Sequence, residues 1–149
     1  MSVSRNSDRR GAAMIEFAFV AIPLFMLIFG CIEFARVSMM ESLAQNAAYE
    51  AARHVIVAGA TTAEAEAEAN RILGILGTRE ARVEIRPEDP TGVVQSSIDE
   101  NTARVTVSVN IPMEKNVIYL NRFTKDVVIE KVTTLTTERY AGYFDGAGG

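Results

Sequence analysis

Few residues in this chain are of types that do chemistry, and Glu16 is the one most oddly placed. It follows Gly11 by five residues and stands at the mouth of an apolar run, residues 17–32, that carries no charge. A carboxylate there has two roles open to it: it can meet water at the headgroup boundary, or it can hold a cation drawn into the same apolar layer. The other candidates are sparse. His54 and Cys31 are the only histidine and cysteine, so neither an intrachain disulfide nor a zinc site of the usual four-ligand kind can be built from this chain alone. The acids Glu88, Asp89, Asp99 and Glu100 fall between residues 87 and 102. They lack the ligand spacing of an EF-hand loop and read as a solvated loop. With no Ser/His/Asp set and no phosphate-cradling glycine loop, neither an enzyme nor a bound cofactor is expected.

The elements that must position Glu16 follow from charge and length. The 149 residues carry 15 basic and 19 acidic side chains and are 48% hydrophobic. That is room for about one domain plus a membrane element, without the basic surface that nucleic-acid binding needs. As a helix, residues 17–32 rise only about 24 Å, short of the roughly 30 Å hydrocarbon core; starting at Ala12 gives about 31 Å but takes in Glu16. Arg5, Arg9 and Arg10 precede the run, which sets the N-terminus in the cytoplasm and the rest outside a single-pass span. Pro23, in mid-run, removes a backbone donor and is expected to kink the helix. A plain bitopic anchor would explain this segment too. A cleaved signal peptide fits less well, because the run is long and lacks a small-residue site at its end. A lipoprotein site at Cys31 is disfavoured by bulky Phe29 two residues before it, and Cys31 reads as a buried apolar filler.

Beyond Ile32 the helical period continues through Val37, Met40, Leu43, Ala44, Ala47, Ala48, Ala51, Ala52 and Val55, predicting one helix from Ala12 to about Val57. Its alanine stripe is expected to pack on the protein's own second half, and His54 to be a surface or capping residue near the helix end. Thr61 and Glu64 form a capping-box pattern for a second helix, with Gly77 as its stop. The period then becomes alternating. Residues 82–86 predict a strand closed by Pro87, and Val105, Val107, Val109 and Ile111 predict one face of a strand over 103–111. A last, less clearly one-faced strand is expected over 127–138, and Val117, Leu120 and Phe123 are expected to be buried in the crossing before it. The organisation is a leader at 1–11, a spanning half at 12–35, an outer half at 36–58, a second helix at 61–77, a sheet region at 81–140 and a loose tail at 141–149. The fold class is α+β, with a small antiparallel sheet laid on a long helix.

A basic leader ending in Gly11, then Ala12-Ala13-Met14-Ile15-Glu16-Phe17, an apolar run with Pro23, and Glu33-Phe34-Ala35-Arg36 resemble the N-terminus of type IV pilins. The closer likeness is to TadE-like pseudopilins of the tight-adherence (Flp) pilus system. Phe17 stands where Flp-type pilins usually carry tyrosine, and the sheet-bearing half sets the chain apart from the major Flp pilin. The resemblance implies a minor pilin, cut between Gly11 and Ala12 by a prepilin peptidase. In that reading Glu16, with Phe17 beside it, sets register by pairing with the new amino group of a neighbour's Ala12. The implied partners are the peptidase, other pilin or pseudopilin subunits, the inner-membrane assembly platform and membrane lipid, and the implied role is assembly of an adhesive pilus. The rival from another class is an uncleaved, membrane-anchored binding module facing outward.

Overall fold

The computed structural model describes residues 5–56, 61–99, 101–119, 124 and 126–137, the first six by backbone alone. One helix dominates: α1 runs Arg5–Val55, 51 residues, or about 77 Å of rise. It begins seven residues before the predicted start at Ala12, so residues 5–11 are helical in the uncut chain. Gly11 is the weakest helix former among those seven, which also include Asn6, Ser7 and Asp8. Its cost, about 1 kcal/mol relative to alanine, is small against the ease of extending a helix already nucleated. Pro23 lies inside α1, which is helical on both sides of it.

Where α1 leaves the apolar run, one stripe becomes covered. Met40, Ala44, Ala47, Ala48, Ala51, Ala52 and Val55 have no exposed surface, and they share one core with Ala65, Ala69, Ile72 and Leu73 of α2 (Thr62–Leu73). Alanines at that spacing let α2 and the sheet come close to the axis of α1, so the stripe packs on the chain's own second half, as expected. The start of α2 follows the predicted chemistry. Thr61 accepts from the Glu64 amide at 3.3 Å and Glu64 accepts from the Thr61 amide at 2.9 Å, satisfying two donors that a helix start leaves open. A 3-10 turn, Gly74–Leu76, follows, and Gly77 closes it in the left-handed region at φ 62°.

The bonds that the Glu64 carboxylate accepts, from the Thr61 amide at 2.9 Å and the Thr61 hydroxyl at 3.1 Å, also make the cap pH-sensitive. The Thr61 backbone amide, and after it the Thr61 hydroxyl, hold the Glu64 carboxyl below its ordinary 4.5. A carboxyl whose value is lower in the folded chain adds stability above its unfolded value and loses it as pH falls through the lowered one. Thr61→Ala is therefore expected to cost about 1 kcal/mol near neutral pH. In thermal melts against pH, the gap between variant and parent should narrow as pH falls through the lowered value, where the carboxyl takes up its proton and stops accepting from the Thr61 hydroxyl.

Three antiparallel strands complete the fold in the order β1-β2-β3: β1 (Arg82–Glu88), β2 (Arg104–Pro112) and β3 (Val128–Thr136). Val105, Val107, Val109 and Ile111 are all fully buried beneath α1, which confirms the predicted inner face of β2. One prediction is corrected. Pro87 does not close β1; it pairs with Val105 inside the strand, and an edge strand tolerates a missing donor on its free side. β3 is mixed on its inner face, where Ile129 is buried while Lys131 approaches Glu41 at 4.0 Å and Thr133 accepts from Gln45 at 3.3 Å. Polar partners on the flank of α1 explain why its sequence is not cleanly alternating.

The acids of the β1–β2 connection serve turns. Asp89 accepts from the amides of Thr91 and Val93 at 2.8 and 2.9 Å, and Asp99 accepts from the Asn101 amide at 2.8 Å. Hydrogen bonds from Thr91 and Val93 hold the Asp89 carboxyl below its ordinary value. Glu100, Leu120, Phe123 and the tail at 141–149 lie outside the described residues.

Candidate membrane and assembly site

The face that α1 shows to its surroundings changes abruptly at Glu33. From Gly11 to Ile32 its residues are exposed apart from half-buried Ala21 and Gly30; Phe17, Phe19, Ile22, Phe25 and Leu27 show half or more of their surface, and Ile28, Phe29 and Ile32 somewhat less. An exposed apolar surface of that extent needs a cover. Among the described residues α1 is the one helix long and apolar enough to cross a membrane, and none of its most apolar window is buried. Cys31 is exposed on this helix rather than buried, because the sheet and α2 pack higher up along α1.

The predicted site residues all lie on this bare part of α1. Gly11, Ala12, Glu16 and Phe17 are exposed, and a side chain added at Gly11 would meet no atom within 4 Å. Ala12 and Glu16, four residues apart, fall on one side of the helix. Among the described residues, the fold brings none of these to another element. His54 is exposed near the end of α1, as expected of a surface residue.

Sequence reasoning missed the residue that ties the bare helix to the domain. Glu33 is only 2% exposed. Its carboxylate accepts from the Ile118 amide at 3.1 Å through both oxygens and from the Tyr119 amide at 3.0 Å. One turn on, the Arg36 Nε donates to the Asn116 carbonyl at 2.8 Å. Buried Asn116 in turn joins Arg79 and Pro112: its side-chain oxygen accepts from the Arg79 amide at 2.8 Å, and its nitrogen donates to the Arg79 and Pro112 carbonyls at 2.9 and 2.7 Å. A buried carboxylate is costly unless it is hydrogen-bonded, and here backbone donors compensate it. The motif Glu33-Phe34-Ala35-Arg36 is thus a clasp, its two charged members holding the loop after β2 against the helix.

A signal for this clasp was present in the spacing. Glu33, Arg36, Val37, Met40 and Ala44 recur at three and four residues, so Glu33 lies on the same stripe as the buried alanines. Phe34 points the other way and is 75% exposed. With Met39, Leu43, Ile75 and Leu76 it lines an open apolar groove between α1 and the turn after α2.

Among the described residues, no group of three His, Cys, Asp or Glu is placed to hold a metal. Neither a curated protein nor a solved structure matches the chain. The family described as TadE-like protein matches residues 11–53, which is α1 without its first six and last two residues. Over that helix, from the glycine before the apolar run through both Glu16 and the Glu33–Arg36 clasp, the chain is similar to the TadE-like proteins.

Proposed function

We propose that this chain is a minor pilin or pseudopilin, cut between Gly11 and Ala12 by a prepilin peptidase and taken from the inner membrane into an adhesive Tad/Flp-type pilus. The observation that carries the reading is where the family match begins: at Gly11, the last residue of the leader, with Glu16 five residues on. The subunit stands in the membrane with its N-terminus cytoplasmic and its sheet outside. After the cut, Ala12 presents an amino group whose ordinary value near 7.7–8.0 leaves it mostly protonated at neutral pH. Placing a charge at the centre of a membrane helix costs about 2.5–3.5 kcal/mol on translocon scales, so an ammonium and a carboxylate in one apolar layer gain by pairing. Glu16 is exposed on its own chain, as a group that serves a neighbour has to be. The partners are the peptidase, the other pilin subunits and the assembly platform, and neighbouring subunits would also cover the groove beside Phe34.

Intact mass of the membrane-extracted protein tests the reading. In a strain with a working prepilin peptidase the parent chain should lack residues 1–11, and Gly11→Lys should retain them, because the peptidase needs a small residue at its cut. Retention of residues 1–11 by the parent would sink the pilin reading and favour the anchored binding module.

A further inference from the structure

We propose that the loop at residues 117–119 is a second membrane contact, inserted into the outer interface of the bilayer beside the spanning helix and fastened there by Glu33. The inference rests on the spanning role given to α1 above. Its central observation is that Tyr119 reaches back down the helix: its ring lies 4.7 Å from that of Phe29, which itself stacks on Phe25 at 6.3 Å. Phe29 is inside the apolar run, one turn closer to the membrane centre than Glu33.

Length fixes the depth of that contact. Residues 12–32 rise about 31 Å and just cross a hydrocarbon core of roughly 30 Å. Ending the span at Ile28 leaves about 26 Å, at the short limit for a crossing, so a span of ordinary length carries Phe29 to the edge of the core. A ring stacked on Phe29 shares its depth. Ile118 and Tyr119 are 54% and 52% exposed, and water is a poor neighbour for either at that level. Tyrosine, apolar in its ring and polar at its tip, suits the interface.

The backbone is prepared for the same place. An amide entering the interface loses water and needs a partner from the protein. The amides of Ile118 and Tyr119 are the two that Glu33 accepts from. With two contacts in place of one, the domain has a fixed rotation about α1 before assembly. Withdrawal of the subunit from the bilayer requires the loop to leave with it.

The chain has no tryptophan, so a single introduced one reports its own surroundings. Full-length Tyr119→Trp, Ile118→Trp and Phe25→Trp are each reconstituted into vesicles of phosphatidylcholine and phosphatidylglycerol, with and without lipid brominated on the acyl chain near the headgroup. Tyr119→Trp keeps an aromatic ring against Phe29. Ile118→Trp adds one at an exposed position, so a folding defect in one variant leaves the other readable. The expected result is blue-shifted emission from residues 118 and 119, with loss of more than half of it in brominated vesicles and little quenching by aqueous iodide. Red-shifted emission quenched by iodide but not by brominated lipid, alongside a quenched Phe25→Trp, overturns the loop contact and leaves the spanning helix intact. An unquenched Phe25→Trp overturns both.

Discussion

Replacing Glu33 by alanine is expected to unfasten the domain from its helix, with a loss of about 3 kcal/mol. The estimate comes from what the carboxylate does. It accepts from two buried-side amides with both oxygens engaged, bonds to a charged group contribute about 1.5–3 kcal/mol, and each amide left without a partner adds a penalty of about 1–3 kcal/mol. These terms overlap, so the total is smaller than their sum. Against domain stabilities of about 5–15 kcal/mol the loss is large. Thermal unfolding in detergent should fall clearly, and cleavage by a broad-specificity protease should appear first between Met113 and Tyr119. Glu33→Gln keeps one oxygen able to accept from the same amides but sets an NH2 group against the Ile118 donor, and it should fall between alanine and parent. An unchanged melting temperature in Glu33→Ala would remove the clasp from the account of this fold.

Glu33 also marks the limit of what the sequence makes legible. The second helix is readable almost to the residue, because Thr61, Glu64 and Gly77 act over three or four residues and their chemistry does not depend on the rest of the fold. The inner face of β2 is readable for the same reason, since Val105, Val107, Val109 and Ile111 alternate with polar neighbours whatever they pack against. The partners of Glu33 lie 85 and 86 residues away, and no local pattern encodes a pairing made across the fold. Its presence on the buried stripe is legible; its role as an acceptor is not. Pro87 illustrates a related gap: as a sequence signal it ends a strand, and only its place on the sheet edge lets it remain inside one. The residues singled out on the bare helix, Gly11, Ala12, Glu16, Phe17 and Pro23, are recognisable by type and order. Among the described residues they meet nothing outside their own helix, so the fold of one chain adds nothing to what their order already says, and the proposed role looks to a peptidase, a lipid or another subunit to complete them.

Glu16→Ala should separate two properties that a simple anchor would keep together. Removing a carboxylate from the apolar layer relieves an insertion cost of up to about 2.5–3.5 kcal/mol, so the variant should enter the membrane at least as well as the parent. It should also be cut normally, since Gly11 and Ala12 are untouched and Glu16 is more than a full turn further along α1. If the carboxylate serves only as an interfacial residue, better insertion is the whole effect, and the variant reaches the pilus fraction like the parent. If it meets the amino group of a neighbour's Ala12, each variant subunit leaves that ammonium in the apolar interior without its counter-charge, which is strongly unfavourable. The expected outcome is therefore full insertion and full processing by intact mass, together with loss of the subunit from sheared pili in immunoblots. Glu16→Asp, which keeps the charge on a shorter stem, should recover part of the incorporation, whereas Glu16→Gln, which keeps the shape without the charge, should not. Recovery by glutamine would assign the role of residue 16 to packing. Wild-type incorporation of the alanine variant would leave the carboxylate with no part in register.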